Sequence, residues 1–79
     1  MAFGDRVREA RKRAHLSQEA LARRADLSLP GIAKIEQGGT IDPHFSTLSR
    51  LAEALDVNPL WLATGEEEES AVPLAVGAR

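Results

Sequence analysis

The sequence predicts an all-α domain of five short helices. Three features point to it. Apolar residues recur at three- and four-residue spacings in successive segments, the repeat of a helix with one buried face. Helix-start residues stand before those segments at Ser17, at Ser28 and at the pair Asn58-Pro59. Aromatic residues are scarce, with Phe3, Phe45 and Trp61 alone, so the core must come from Leu, Ile, Val and Ala, which suits packed helices. At 79 residues the chain holds one domain at most and buries a limited core.

The first helix is read from Phe3 to Ala14, with Phe3, Val7, Ala10 and Ala14 on one stripe. Arg8, Glu9, Lys12 and Arg13 fall outside that stripe, as a solvated face or as phosphate contacts. Ser17 caps the second helix, and Glu19 lies in its first turn, where the helix dipole favours a carboxylate. Leu21, Ala22 and Ala25 form its inner face, and Ala22 is small enough for a second helix to cross nearby. Asp26 marks the turn, because aspartate tolerates positive φ better than most residues. Leu27 enters the core. Ser28 caps the third helix, Pro30 sits harmlessly in its first turn, and Ile32 and Ile35 are its buried face. Gly38 or Gly39 ends it. A loop by composition runs from Gly39 to His44. The fourth helix opens near Ser46, spans Thr47 to Leu55, and buries Leu48, Leu51, Ala52 and Leu55. The fifth runs from Pro59 to Thr64, with Trp61 closing the core and Leu60 left over. From Glu66 the periodic pattern stops. Domain boundaries of 1–65 for the helical unit and 66–79 for an acidic, disordered tail follow. The tail's other readings are an extended fifth helix or a contact with the basic face.

Several residue runs resemble the lambda-repressor-like, Xre/Cro-type helix-turn-helix family. They are Gln18-Glu19-Ala20-Leu21-Ala22, then Ser28, Ile32 and Ile35-Glu36-Gln37-Gly38. Arg6-Val7-Arg8 and Arg11 precede them, and Pro43, Leu48, Leu51-Ala52, Ala54-Leu55, Val57, Trp61-Leu62 and Gly65 follow. The resemblance covers about residues 3 to 65. It implies a transcriptional regulator, a repressor that binds double-stranded DNA as a homodimer on a pseudo-palindromic operator. The third helix would enter the major groove, the one groove that distinguishes all four base pairs. Leu29, Pro30, Gly31, Ala33 and Lys34 then stand at the base-facing positions. Leu29 and Pro30 carry no side-chain hydrogen-bonding group, so direct readout would be modest, with backbone contacts and DNA shape carrying more of the selectivity. Lys34 is left open between guanine and phosphate. Ser17, Gln18, Gly39 and Thr40 are implied to meet phosphates, with helix capping as the plain alternative for Gln18 and a plain connection, which the charge of Asp42 favours, as the alternative for Gly39 and Thr40. Arg11 is implied to pair with Glu36 and to clamp the first helix to the third, with phosphate contact as its second role. Leu60 and Trp61 are the implied dimer seam.

Charge is segregated in a way that the overall net charge of −2 hides. Residues 1–24 carry seven cations against three carboxylates, and residues 66–79 carry one against four. A mildly acidic chain therefore holds a basic face. There is no cysteine, and neither His15 nor His44 has a cluster of ligands around it, so no metal and no cofactor is expected. No nucleophile–base pair or paired acids mark an enzyme. No apolar run reaches membrane-spanning length, and charges begin at Asp5, which argues against a signal peptide. The expectation is a cytoplasmic protein, bacterial or phage-encoded. The competing reading is a protein-interaction module, or an antitoxin-type partner, that keeps the fold with weak DNA binding or none.

Overall fold

The computed structural model describes residues 1–40 and 42–66; Ile41 and the segment 67–79, which holds most of the expected tail, lie outside the described residues. Among the described residues there are five helices: α1 (Phe3–Arg13), α2 (Gln18–Ala25), α3 (Leu29–Glu36), α4 (Phe45–Leu55) and α5 (Pro59–Thr64). The all-α expectation holds. None of these helices is long and apolar enough to cross a membrane.

The helix starts follow local chemistry. The Ser17 hydroxyl accepts the Ala20 N–H at 3.0 Å, the Ser28 hydroxyl accepts that of Gly31 at 3.0 Å, and the Asn58 side chain accepts that of Leu60 at 3.0 Å. Each of these bonds satisfies a first-turn donor that has no partner inside the helix. Asp26 adopts the left-handed conformation at the α2–α3 turn, φ 59° and ψ 45°, as its residue type favours.

One core joins all five helices. Phe3, Val7 and Ala10 of α1 meet Leu21, Ala22 and Ala25 of α2, Ile32 and Ile35 of α3, Leu51, Ala52 and Leu55 of α4, and Leu62 of α5. Leu16, Leu27, Leu48, Val57 and Trp61 pack against this cluster while half-buried. The helix α3 lies against both α1 and α2. Its position is therefore fixed from two sides.

Two expectations need correction. Ala14 is exposed, because α1 ends at Arg13 and the chain turns away through His15 at φ 60°. The helix α4 begins at Phe45, two residues earlier than Thr47, after an N-cap residue, His44, whose side chain makes no capping bond. Phe45 is consequently a first-turn residue, 79% exposed, and contributes nothing to the core.

Two inward residues of α1 were not assigned any role from sequence. Gly4 is buried where α1 crosses α3. A Cβ there would press into the Ile35 carbonyl oxygen and lie 3.3 Å from Glu36 Cα. Arg6 is buried too, three residues after Phe3 and four before Ala10, on the same face. Its guanidinium donates to the carbonyls of Leu62 at 2.7 Å and Ala63 at 2.8 Å, and to that of Met1. The partial negative charge at the end of α5 takes the place of a carboxylate partner.

Replacing Gly4 by alanine is predicted to destabilise the fold by about 3 kcal/mol, since the added methyl meets backbone that cannot rotate away. Urea unfolding measures it. A stabilisation of about 1 kcal/mol, the gain from helix propensity alone, would contradict the close crossing.

Candidate nucleic-acid interface

The inner side of α3 is locked and its outer side is open. Ile32, Ile35 and Glu36 are buried. Leu29 is 44% exposed, Pro30 and Lys34 are exposed, and Gly31 and Ala33 are half-buried. The residues assigned to base-facing positions thus share the outward side of one helix. Gln37, exposed just past its end, continues that side one turn beyond Ala33. Its type and spacing are visible in the sequence, where no role is assigned to it.

Glu36 is the point at which three helices meet. Its side chain is 1% exposed. From α1, Arg11 Nε donates to Oε2 at 2.7 Å and Nη2 donates to Oε1 at 3.0 Å, a two-pronged pair of the kind that planar guanidinium favours. Arg11 Nη1 donates to the Leu16 carbonyl at 2.8 Å, which anchors the start of the α1–α2 link. Arg8, also from α1, donates to the Glu36 backbone carbonyl at 2.9 Å and holds its guanidinium 3.6 Å from Oε1. From α2, Gln18 Nε2 donates to Oε1 at 3.1 Å. Gln18 is therefore neither a cap nor turned wholly outward. Its amide braces Glu36, with one N–H hydrogen left over. Neither the Gln18 brace nor the Arg8 contact was assigned from sequence, since both depend on how the helices approach one another.

Burial pushes the Glu36 carboxyl up, but the bonds from Arg11 and Gln18 and the charges of Arg11 and Arg8 outweigh it, so it titrates below its ordinary value of 4.5. The fold thereby holds a carboxylate ionised in its interior and fully hydrogen-bonded.

Beside this node, Ser17 stands at the exposed start of α2. The N–H groups of Gln18 and Glu19 point out of the first turn with no protein acceptor among the described residues. Past the end of α3, Gly39 is exposed and Thr40 is half-buried. A shallow groove between α3 and this loop is lined by Ser28, Gly31, Lys34, Thr40, Asp42 and His44, among others. Leu60 is 48% exposed at the start of α5, while Trp61 next to it packs against its own core. No group of histidines and carboxylates suited to a metal ion occurs among the described residues.

A family model for helix-turn-helix proteins, HTH_3, matches residues 7–62. The chain belongs to this family. It is of the lambda-repressor-like, Xre type, whose solved members share its fold. The helix-turn-helix is α2, the Asp26–Ser28 turn and α3. Among curated proteins, the HTH-type transcriptional regulator DicA of Escherichia coli strain K12 is 27% identical over 73 residues, which is 92% of this chain and 53% of that protein. The chain thus spans about half the length of this curated relative. Among solved structures, the P22 c2 repressor in complex with a synthetic operator is 30% identical with a TM-score of 0.77, covering 84% of this chain and 98% of that one. The restriction-modification controller protein C.AhdI of Aeromonas hydrophila is 37% identical with a TM-score of 0.71, covering 76% and 89%. Proteins of this family are generally not enzymes.

The Glu36 node makes stability depend on pH. The unfolded chain titrates this carboxyl near 4.5, and the folded chain titrates it lower. Its stabilising contribution is thus fully present above the unfolded value and is lost as pH falls through the folded one. Glu36→Gln is predicted to cost about 3 kcal/mol at neutral pH, because it leaves Arg11 without its counter-charge. The variant should also lose the acid-side decline that the wild type shows between the two values. Thermal melts from neutral to acid pH compare them. Parallel curves for the two proteins would contradict the assignment.

Proposed function

We propose that the chain is a sequence-specific, double-stranded DNA-binding transcriptional regulator that places α3 in the major groove. The observation that carries this reading is the division of α3 into an inner side clamped by α1 and α2 and an exposed outer side. A helix probes a groove only if its neighbours hold it rigidly from behind. The P22 c2 repressor, which shares the fold over nearly its whole length, was crystallised on an operator, and this supports the same role here.

In the proposed complex, the first-turn N–H groups of α2 and the free N–H of Gln18 meet one phosphate, because helix N-termini attract anions. Thr40 meets another, while Gly39, expected beside it, has its N–H committed to the Lys34 carbonyl at 2.9 Å and offers no donor. Leu29, Pro30, Gly31 and Ala33 lie against base edges, and packing on thymine methyls is the direct contact their apolar surfaces permit. Selectivity then falls largely on DNA shape. Arg11, with three N–H groups engaged inside the protein, acts from behind by fixing α3. The regulator works as a repressor by occupying a pseudo-palindromic operator in the cytoplasm of a bacterium, on host or phage DNA. It does so as a homodimer, with exposed Leu60 at the seam and Trp61 behind it.

Affinity for the operator is predicted to fall about a thousandfold from about 50 to about 200 mM salt for a dimer that neutralises about six phosphates. Gel shift on a duplex selected from random sequence measures this, and sedimentation on the same duplex counts the chains. DNA binding that is absent or indifferent to salt would favour the protein-interaction reading. One chain per operator would refute the homodimer.

A further inference from the structure

Four of the five described helices end in the same backbone device. At the ends of α1, α2 and α4 a left-handed residue, His15, Asp26 or Asp56, is followed by an apolar one, Leu16, Leu27 or Val57. The N–H of that apolar residue returns to the carbonyl five residues back, on Arg11, Ala22 or Ala52, and its side chain packs against the core. Such a hydrophobic contact commonly accompanies this type of helix end. The helix α3 closes with the same bonds, Gly38 N–H to the Ile35 carbonyl at 3.0 Å and Gly39 N–H to the Lys34 carbonyl at 2.9 Å. Gly38 supplies the left-handed step at φ 91°. The residue in the apolar place, however, is Gly39, which has no side chain to offer. The stem of Lys34 fills the space instead. A Cβ at Gly39 would fall 2.8 Å from Lys34 Cγ and 3.3 Å from its Cε.

We propose that Gly39 is a positioning residue for Lys34, and that the lysine so held is a phosphate contact and not a reader of bases. The proposal rests on the DNA-binding reading above. Side chains on a helix ordinarily lean toward its N-terminus. For Lys34 that direction leads to Pro30 and Gly31, the end presented to base edges. Lying across Gly39 turns the stem the other way, toward the loop where Thr40 faces the phosphates. A side chain at position 39 would remove this seat. It would free the ammonium to swing toward the bases or toward Asp42, the carboxylate lining the same groove.

The test compares wild type, Lys34→Ala, Lys34→Met, Gly39→Ala and the Lys34→Ala/Gly39→Ala double variant on a duplex selected from a random pool, on its single-base variants, and on unrelated duplexes. Lys34→Met keeps the stem and removes the charge. Both Lys34 variants should weaken binding to every duplex by the same factor, about tenfold per half-site, and flatten the salt dependence by about one counterion per half-site. Gly39→Ala should reproduce part of that loss, and the double variant should bind no more weakly than Lys34→Ala alone. In the free wild-type protein, nuclear Overhauser cross-peaks should join Gly39 Hα to the Lys34 stem. Loss confined to one G·C pair with an unchanged salt slope would overturn the proposal, as would losses that multiply in the double variant, or missing cross-peaks. In each of these cases a wild type that binds DNA leaves the functional reading standing. A wild type that shows the cross-peaks yet binds no duplex would overturn that reading, and the proposal with it.

Discussion

The carboxylate of Glu36 is the constraint on which the arrangement depends. A lone ionised carboxylate would be far too costly in this interior. It is stable because α1 sends Arg11 and Arg8 to it and α2 sends Gln18. Each of those donors is useful only if its helix stands at the right distance and angle. The charge therefore converts a generally apolar packing, which tolerates small slides, into a fixed geometry for the last turn of α3. A helix that must present its outer side to a rigid partner gains from that.

The apolar core supplies the cohesion, and it leaves the direction of α3 to a few specific devices. Gly4 lets the α1 backbone come down on Ile35, and Ala22 and Ala25 are small buried residues on the inner side of α2. The recurring left-handed helix ends at His15, Asp26 and Asp56 each turn the chain and return an apolar residue to the core. Arg6 then ties the end of α5 to α1, so the last short helix is fastened by a charge as well as by Leu62. In a domain this small, such single bonds decide more than they would in a larger one.

What was legible in the sequence was whatever depends on near neighbours. Ser17, Ser28 and Asn58-Pro59 announce helix starts because their side chains bond within the next turn. The stripe from Phe3 to Ala10 and the pair Ile32 and Ile35 announce buried sides by spacing alone. The Arg11–Glu36 pair came from likeness to a family, and the geometry now accounts for it. The residues that were missed act across helices. Gly4 looks like a weak helix former until α3 is seen above it. Arg6 looks like any other arginine of α1, although its place on the apolar stripe was a signal to be read. Gln18 has the composition of a surface residue and turns inward because Glu36 is there. The true start of α4 was hidden because His44 makes no capping bond, so local chemistry gave nothing to find.

The account stands most directly on which surface meets DNA, and amide chemical shifts recorded during titration with a short duplex decide it. The predicted shifts fall on Gln18 and Glu19, on Leu29 to Lys34 and on Gly38 to Thr40. Shifts gathered instead around Arg24, Arg50 and Glu53, the mixed-charge surface between the end of α2 and α4, would contradict the account.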